Sequence, residues 1–341
     1  MIRSAAVPGG PQDEGSPTWL GERENGVSGS ARVGVVVRTK NRSWFLRRAI
    51  LDIAAQTYAE WRVCVVNDGG DRGAVDEILA GLPEAIRGRV EVIHNPATVG
   101  RSAAANQGVR AVDTEFIVLH DDDDLWHPNF LLRTVEWLST HPDDVGVVVR
   151  TEIVFERASA GGGFEEISRE IFWADIDEIR FADLLEINRW VPISYLYRRE
   201  LHDRVGYYDE NIHAAEDWDF GLRTLVRHRV GFLDGTPLAS WMQRRGVDGE
   251  LGNSMFTLAQ DHDRFDQHIR DTALREYAAA YGLGLPLYVA GLVKAESGVL
   301  IERIRSVVRE EITNQLDSRP SDLDRLRRRL FRRQSSKTPR K

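Results

Sequence analysis

Five apolar runs in the first half of the chain, three of them closed by a polar cluster, set the pattern. Val33–Arg38 is a continuous β-branched run, and Arg62–Val66, Arg89–His94 and Glu115–His120 repeat it. Unbroken runs of this kind predict strands covered on both faces. Between them, apolar positions recur at helical spacing over residues 44–56, 73–82, 100–112 and 129–140. A further β run, "VGVVVRTEIVF", restarts at Val145. Strand and helix alternate, and the crossovers are long enough for parallel connections. The pattern predicts an open α/β sheet over roughly residues 32–155. Ligands of such sheets bind outside the carboxyl ends of the strands. Polar clusters fall at those ends: Thr39–Arg42, Asn67–Gly70 and Asp121–Asp124.

The last cluster carries the most chemistry. Four successive aspartates repel one another, and placing them against a buried strand raises that cost. A solvated acidic turn would carry them without a ligand; a hydrophobic strand ending in them suits a hard divalent cation and a phosphorylated ligand. In an extended chain Asp121 and Asp123 would face one way and Asp122 and Asp124 the other. The first strand is followed by "RTKNRS", with neither G-x-G-x-x-G nor a P-loop, so a diphosphate would need a carboxylate-held metal. Later, Glu216-Asp217-Trp218-Asp219 opens a helix, where acids also suit the positive end of the helix dipole. Arg244 and Arg245 sit in a Gly-rich loop, expected to be mobile and able to close over phosphates.

Composition narrows the class. With 42% hydrophobic and 29% charged residues the chain is that of a soluble globular protein. Its net charge of −8 is uneven. Residues 319–341 hold ten Lys/Arg and two Asp, so that segment is about +8 and the rest about −16. An acidic body argues against nucleic acid as a partner, while the basic tail is free to touch anionic lipid. The single cysteine, Cys64, lies in an apolar run and reads as an inert core thiol, consistent with a cytoplasmic location. Residues 1–31 read as a disordered leader, 255–318 as a helical extension and 319–341 as a basic tail. The apolar tract near Leu283–Val293 reads as too short to span a bilayer. Leu300, Ile304, Val307, Val308 and Ile312 read as a stripe for packing on the body or on a partner, so a homo-oligomer stays open.

Taken together, "VVVRTKNR", "QTYAEWRVCVVNDGG", "GRSAAANQGV", "HDDDDLWHP" and "VGYYDENIHAAEDWDFGLR" resemble the family 2 glycosyltransferases with the GT-A fold. The resemblance covers about Val33–Ser254. It implies a GT-A domain at 32–254, with a nucleotide-binding half (32–155) and an acceptor half (156–254). It further implies an inverting transfer of a sugar from a nucleotide-diphosphate donor to an acceptor hydroxyl, with Mn²⁺ or Mg²⁺. The acceptor would be a glycan, a lipid-linked or a small molecule, as in polysaccharide or glycolipid synthesis. Matched residue by residue, Thr39 and Asp68 would hold the nucleoside, with Asn41 beside them, and Arg101 would lie by the donor. Asp123 would bind the metal, and Asp121 would share it or reach the ribose, with Asp122 behind. Asp217 would be the general base, with Glu216 the second choice; Arg244 and Arg245 would cover the phosphates. Two departures stand out: Arg38 replaces a proline before the threonine, and Asn67 replaces the first of two acids. Two other readings compete. Nucleotidyl transfer to a sugar phosphate would need a Gly-rich basic loop after the first strand, and a non-catalytic binder would need no base.

Overall fold

The computed structural model describes residues 31–159, 163–244, 247, 249, 252–253 and 259–318. The expected leader, the basic tail and Arg245 therefore lie outside the described residues, apart from Ala31. Strands β1 (Val33–Thr39), β2 (Trp61–Asp68), β3 (Val90–Asn95) and β4 (Phe116–Asp121) form a parallel sheet in the order β3-β2-β1-β4. All seven residues of β1 are buried, which is why its sequence shows an apolar run and not alternation. The intervening helices are α1 (Ser43–Ala54), α2 (Arg72–Ala80), the single turn α3 (Glu84–Arg87) and α4 (Arg101–Ala111). α5 (Phe130–Thr140) follows β4 after a two-residue strand, β5 (Leu125–Trp126). α4 lies close against β1: a Cβ on Gly108 would stand 2.3 Å from Val36 Cγ1. That contact brings Arg101, at the start of α4, over the end of β1.

The large sheet does not end near residue 155. The run from Val145 breaks at Arg150, whose N–H bonds to the Leu233 carbonyl and whose guanidinium holds Asp234 and two backbone oxygens. Before the break, β6 (Asp144–Val149) belongs to the large sheet; after it, β7 (Thr151–Ala158) belongs to a second. β9 (Tyr195–Arg198) lies antiparallel between β4 and β6, and β10 (Arg229–Leu233) flanks β6 in parallel. The full order is β10-β6-β9-β4-β1-β2-β3. The second sheet has the order β5-β11-β7-β8, with β8 (Phe164–Ile171) and β11 (Ala239–Gln243). No pattern in the sequence had suggested it.

Short helices α6 (Phe181–Glu186) and α7 (Leu201–Val205) precede α8 (Glu216–Leu225). Two long helices end the described chain, α9 (Ala259–Tyr281) and α10 (Gly284–Ser318). The chain divides into compact units at Phe265/Asp266, inside α9. The reading of the C-terminal apolar tract needs correction. Gly284–Glu310 is long and apolar enough to cross a membrane by length and composition, and its most apolar window is 0% buried. Within this helix Leu300, Ile304, Val307 and Val308 are exposed, and the Ile312 side chain lies outside the described residues.

Candidate active site

The four aspartates begin at the last residue of β4, beside the carboxyl end of β1. Their side chains are not left to repel one another in solvent; Asp122, Asp123 and Asp124 are buried, and each of the four has a partner. Asp121 Oδ1 accepts from Arg38 Nη2 at 2.6 Å and Nε at 3.1 Å, with Arg101 at 3.6 Å from its other oxygen. Asp122 accepts from the Thr39 hydroxyl at 2.7 Å and from Arg42 at 2.8 Å. Asp123 Oδ2 accepts from Arg42 at 2.9 Å, from Arg244 and, more weakly, from Asn253 at 3.3 Å. Asp124 accepts the Met242 N–H at 2.8 Å, which ties the turn to β11. A guanidinium buried beside carboxylates satisfies charge at both ends, whereas either group alone would carry the full desolvation cost.

The electrostatics follow from this pairing. Burial works against ionising Asp121, but Arg38 and Arg101 outweigh it and hold that carboxyl down at about 2. Burial pushes Asp122 up to about 7 despite the opposing Arg42 charge, with the Asp123 charge adding to the rise. Burial and the neighbouring Asp123 and Asp121 charges push Asp124 well above the usual carboxylate range. The run therefore carries less than its formal charge.

The second acidic cluster meets the first through one side chain. Arg38 Nη1 donates to Glu216 Oε1 at 2.8 Å while its other nitrogens hold Asp121, spanning 178 residues of chain. Arg101 stands beside both, 3.5 Å from Glu216 and 3.6 Å from Asp121. Next to Glu216, Asp217 accepts from the Asn188 amide at 2.7 Å. Burial, followed by the Glu216 charge, pushes Asp217 up to about 7. Glu216 is also opposed by burial, yet Arg101 and Arg38 keep it below the usual range. Ala215, which leads into α8, sits at φ 65°, a left-handed conformation that costs a non-glycine residue on the order of 1 kcal/mol. The chain bears that strain where it turns Glu216 toward Arg38.

The remaining expected residues are placed as follows. Asp68 accepts the Val99 and Gly100 N–H groups at 2.8 and 3.1 Å and the Asn95 amide at 3.1 Å, so it orders the loop leading to Arg101. Gly100 there has φ 101°, accessible to glycine. Asn41, also at positive φ, accepts the Asp71 N–H at 2.9 Å and joins the first two strand-end loops. Arg244 departs from the expectation of a mobile, solvent-facing arginine. It is fully buried, paired with Asp123 and Glu156 and stacked 4.4 Å from the Phe45 ring centre, because two buried carboxylates demand it. Trp126, Trp190 and Trp218 are buried packing residues.

Several participants were not singled out from the sequence. Arg42 and Arg48 flank the acids, the latter donating to Glu156 at 2.8 Å and to the Asp123 carbonyl. Asn188, Glu156 and Asn253 complete the ion-pair network. A charged residue inside a strand run, such as Arg38, was the one available signal, since burial there requires an acid.

The donor set limits how a metal can bind. Among the described residues no three His, Cys, Asp or Glu side chains converge as protein ligands for an ion. Asp123 Oδ1 accepts no hydrogen bond among them, so one carboxylate oxygen is available. Mg²⁺ and Mn²⁺ accept such a site when phosphate oxygens and water fill the rest of the shell. The residues fit an ion shared with a bound diphosphate, not one caged by protein.

A parallel sheet with an antiparallel strand inserted beside β4, and acids gathered at the strand ends, defines a GT-A class fold. The Staphylococcus aureus TarS 1–349 structure in complex with UDP-GlcNAc is similar, with TM-score 0.51 and 16% identity, covering 74% of this chain and 75% of that one. Residues 34–202 match the family described as Glycosyl transferase family 2. An uncharacterized glycosyltransferase of Bacillus subtilis (strain 168), YwdF, is 31% identical over 203 residues, which span 58% of this chain and 70% of that protein. The chain belongs to glycosyl transferase family 2 and is a glycosyltransferase. It is also 36% identical to the succinoglycan biosynthesis protein ExoW of Rhizobium meliloti (strain 1021), over 29% of this chain and 31% of that one.

Proposed function

We propose that the enzyme transfers a hexosyl group, with inversion, from a nucleotide-diphosphate sugar to an acceptor hydroxyl in the cytoplasm, in the assembly of a cell-surface polysaccharide or glycolipid. The observation that carries this reading is the Arg38 guanidinium, bonded at once to the aspartate run and to the acid preceding Asp217. One site thus holds the groups suited to a diphosphate and a group suited to take a proton.

The roles follow from position. Thr39, Asn41, Asp68, Arg101, Asp121 and Asp122 line or order the nucleotide side. Asp123 offers its free oxygen to the divalent cation, with Arg42 and Arg244 fixing the carboxylate from behind. When bound, Mg²⁺ or Mn²⁺ supplies Lewis-acid neutralisation of the departing diphosphate. Arg101, part exposed and close to Asp121, is placed to add a fixed positive charge on the same side. Asp217, raised to about 7, takes the acceptor proton as the glycosidic bond forms, and Asn188 holds its orientation. A single base and one in-line displacement invert the anomeric centre; retention by double displacement would require a second carboxylate as nucleophile. Asp219 is taken up by Arg223 at 2.7 Å on the same helix, which favours the single-base reading. UDP-GlcNAc in the TarS complex and the succinoglycan role in the name of ExoW fit the same chemistry.

A thermal-shift panel of UDP, GDP, dTDP and CDP, each with and without Mn²⁺, tests the reading. At a hundredfold excess over Kd, one nucleotide should stabilise the protein by about 2.7 kcal/mol, and only when the cation is present. Asp123→Asn should lose the cation-dependent part. Equal shifts with and without Mn²⁺ would remove the metal, and no shift with any nucleotide would remove the donor assignment.

A further inference from the structure

We propose that Trp173 is the platform on which the acceptor stacks, so that the acceptor presents a pyranose ring and directs one of its hydroxyls to Asp217. The proposal rests on Asp217 as the proton acceptor and adds the chemical class of the molecule it deprotonates. Trp173 stands out first by its backbone. Among the described residues three non-glycine residues have positive φ: Asn41, Trp173 and Ala215. Asn41 and Ala215 both belong to the site already described, the first joining two strand-end loops and the second leading into Glu216. Trp173 is at φ 47°, a conformation costly for a bulky side chain and freely open to glycine. Strain of this kind persists where the surroundings over-determine it. A turn that needed only this backbone shape would be served by glycine, so the indole is what the strain holds in place.

Neighbouring groups do the holding. Arg150 Nη1 and the Ile176 N–H both donate to the Trp173 carbonyl, at 3.0 and 3.2 Å. The Arg189 guanidinium lies over the ring, 4.5 Å from its centre, a cation–π contact that fixes the plane. The indole N–H donates to the Asn188 carbonyl at 3.1 Å. That last contact reaches the chemistry, because the Asn188 side-chain amide donates to Asp217 at 2.7 Å. One asparagine therefore fixes the aromatic ring through its backbone and the base through its side chain. All of these groups lie between residues 150 and 217, inside a single compact unit.

Other tryptophans around the site serve packing. Trp126 and Trp218 are buried, with their N–H groups donated to the Ile193 and Leu184 carbonyls. Trp173 is half-buried, which leaves part of its ring to a ligand. A pyranose has an apolar C–H face that matches an indole plane, and it carries its hydroxyls around the rim. Stacked on Trp173, it buries the C–H face and leaves the rim to Asp217. An open-chain alcohol has no such face to align.

The test compares the unmodified protein with Trp173→Ala and with Trp173→Phe, which keeps a flat ring but loses the bond to Asn188. The probes are the methyl β-pyranosides of glucose, galactose, mannose and N-acetylglucosamine, with glycerol as the open-chain control. Saturation-transfer NMR, without donor or metal, should mark ring C–H protons of at least one pyranoside and none of glycerol. Trp173→Ala should weaken that binding at least about fivefold, and Trp173→Phe less than about twofold. With UDP-glucose, GDP-mannose, dTDP-glucose or CDP-glucose as donor and Mn²⁺ present, the ratio of transfer to hydrolysis should fall by the same factors. A purely structural role through Asn188 would lower transfer and hydrolysis together, so an unchanged ratio in Trp173→Ala overturns the proposal. So does a Trp173→Phe variant as impaired as Trp173→Ala, or the absence of saturation with all four pyranosides. Absence of nucleotide release from every donor would count against the transferase reading, and the NMR comparison would still decide the platform.

Discussion

Asp217→Asn is expected to lower kcat by about 10²–10⁴-fold and to leave nucleotide binding nearly unchanged. The amide keeps the volume and can still meet Asn188, so the fold and the donor side are preserved. What disappears is the capacity to accept a proton. The same group sets the pH dependence of the unmodified enzyme. Burial and the Glu216 charge raise Asp217 to about 7, and a base works only when ionised. Turnover should therefore fall about tenfold per pH unit below that value and level off above it. The acid limb should vanish from whatever activity the variant retains. Weakened donor binding with normal turnover, or a limb that persists unchanged, would contradict the assignment.

Arg38→Met is expected to cost about 3–5 kcal/mol of folding stability. The guanidinium is buried and makes the 2.6 and 2.8 Å contacts that neutralise Asp121 and Glu216. Removing it leaves the buried Glu216 and the part-buried Asp121 with only the 3.5 and 3.6 Å approaches of Arg101. Activity should fall with stability, because Asp217 is fixed through the residue beside it. Arg38→Lys should recover less than half of the loss: one compact ammonium cannot reach both acids with the planar fork of an arginine. Urea denaturation of the three proteins measures this. A loss below about 1 kcal/mol, the value of an exposed pair, would show that the bridge does not hold the site together.

The part of the fold that was legible lies where burial is two-sided. β1, β2 and β4 announce themselves as apolar runs, and α1 and α5 as amphipathic stretches, because their packing leaves no choice of residue. The second sheet was hidden for the opposite reason. β8 is mostly exposed and β5 is two residues long, so neither carries a pattern. The break at Arg150 was masked by an unbroken β-rich sequence on both sides of it. In the site, the acids could be found as motifs, but several of their partners could not. Arg42, Arg48 and Asn188 are ordinary surface residues by sequence, and only the fold carries them to buried acids. Arg244 was read as a loop cation for the same reason, since nothing near it in sequence demands burial. The C-terminal helix was underread because Lys294 and Glu296 divide its apolar residues into two shorter tracts.

The central claim is that one base acts on one side of a single displacement. Donor hydrolysis followed by proton NMR in its first minutes tests this most directly, since water serves as acceptor. With an α-linked nucleotide sugar, the β-anomer should appear first and relax afterwards. The α-anomer appearing first would mean retention, and Asp217 as a lone base would then be wrong.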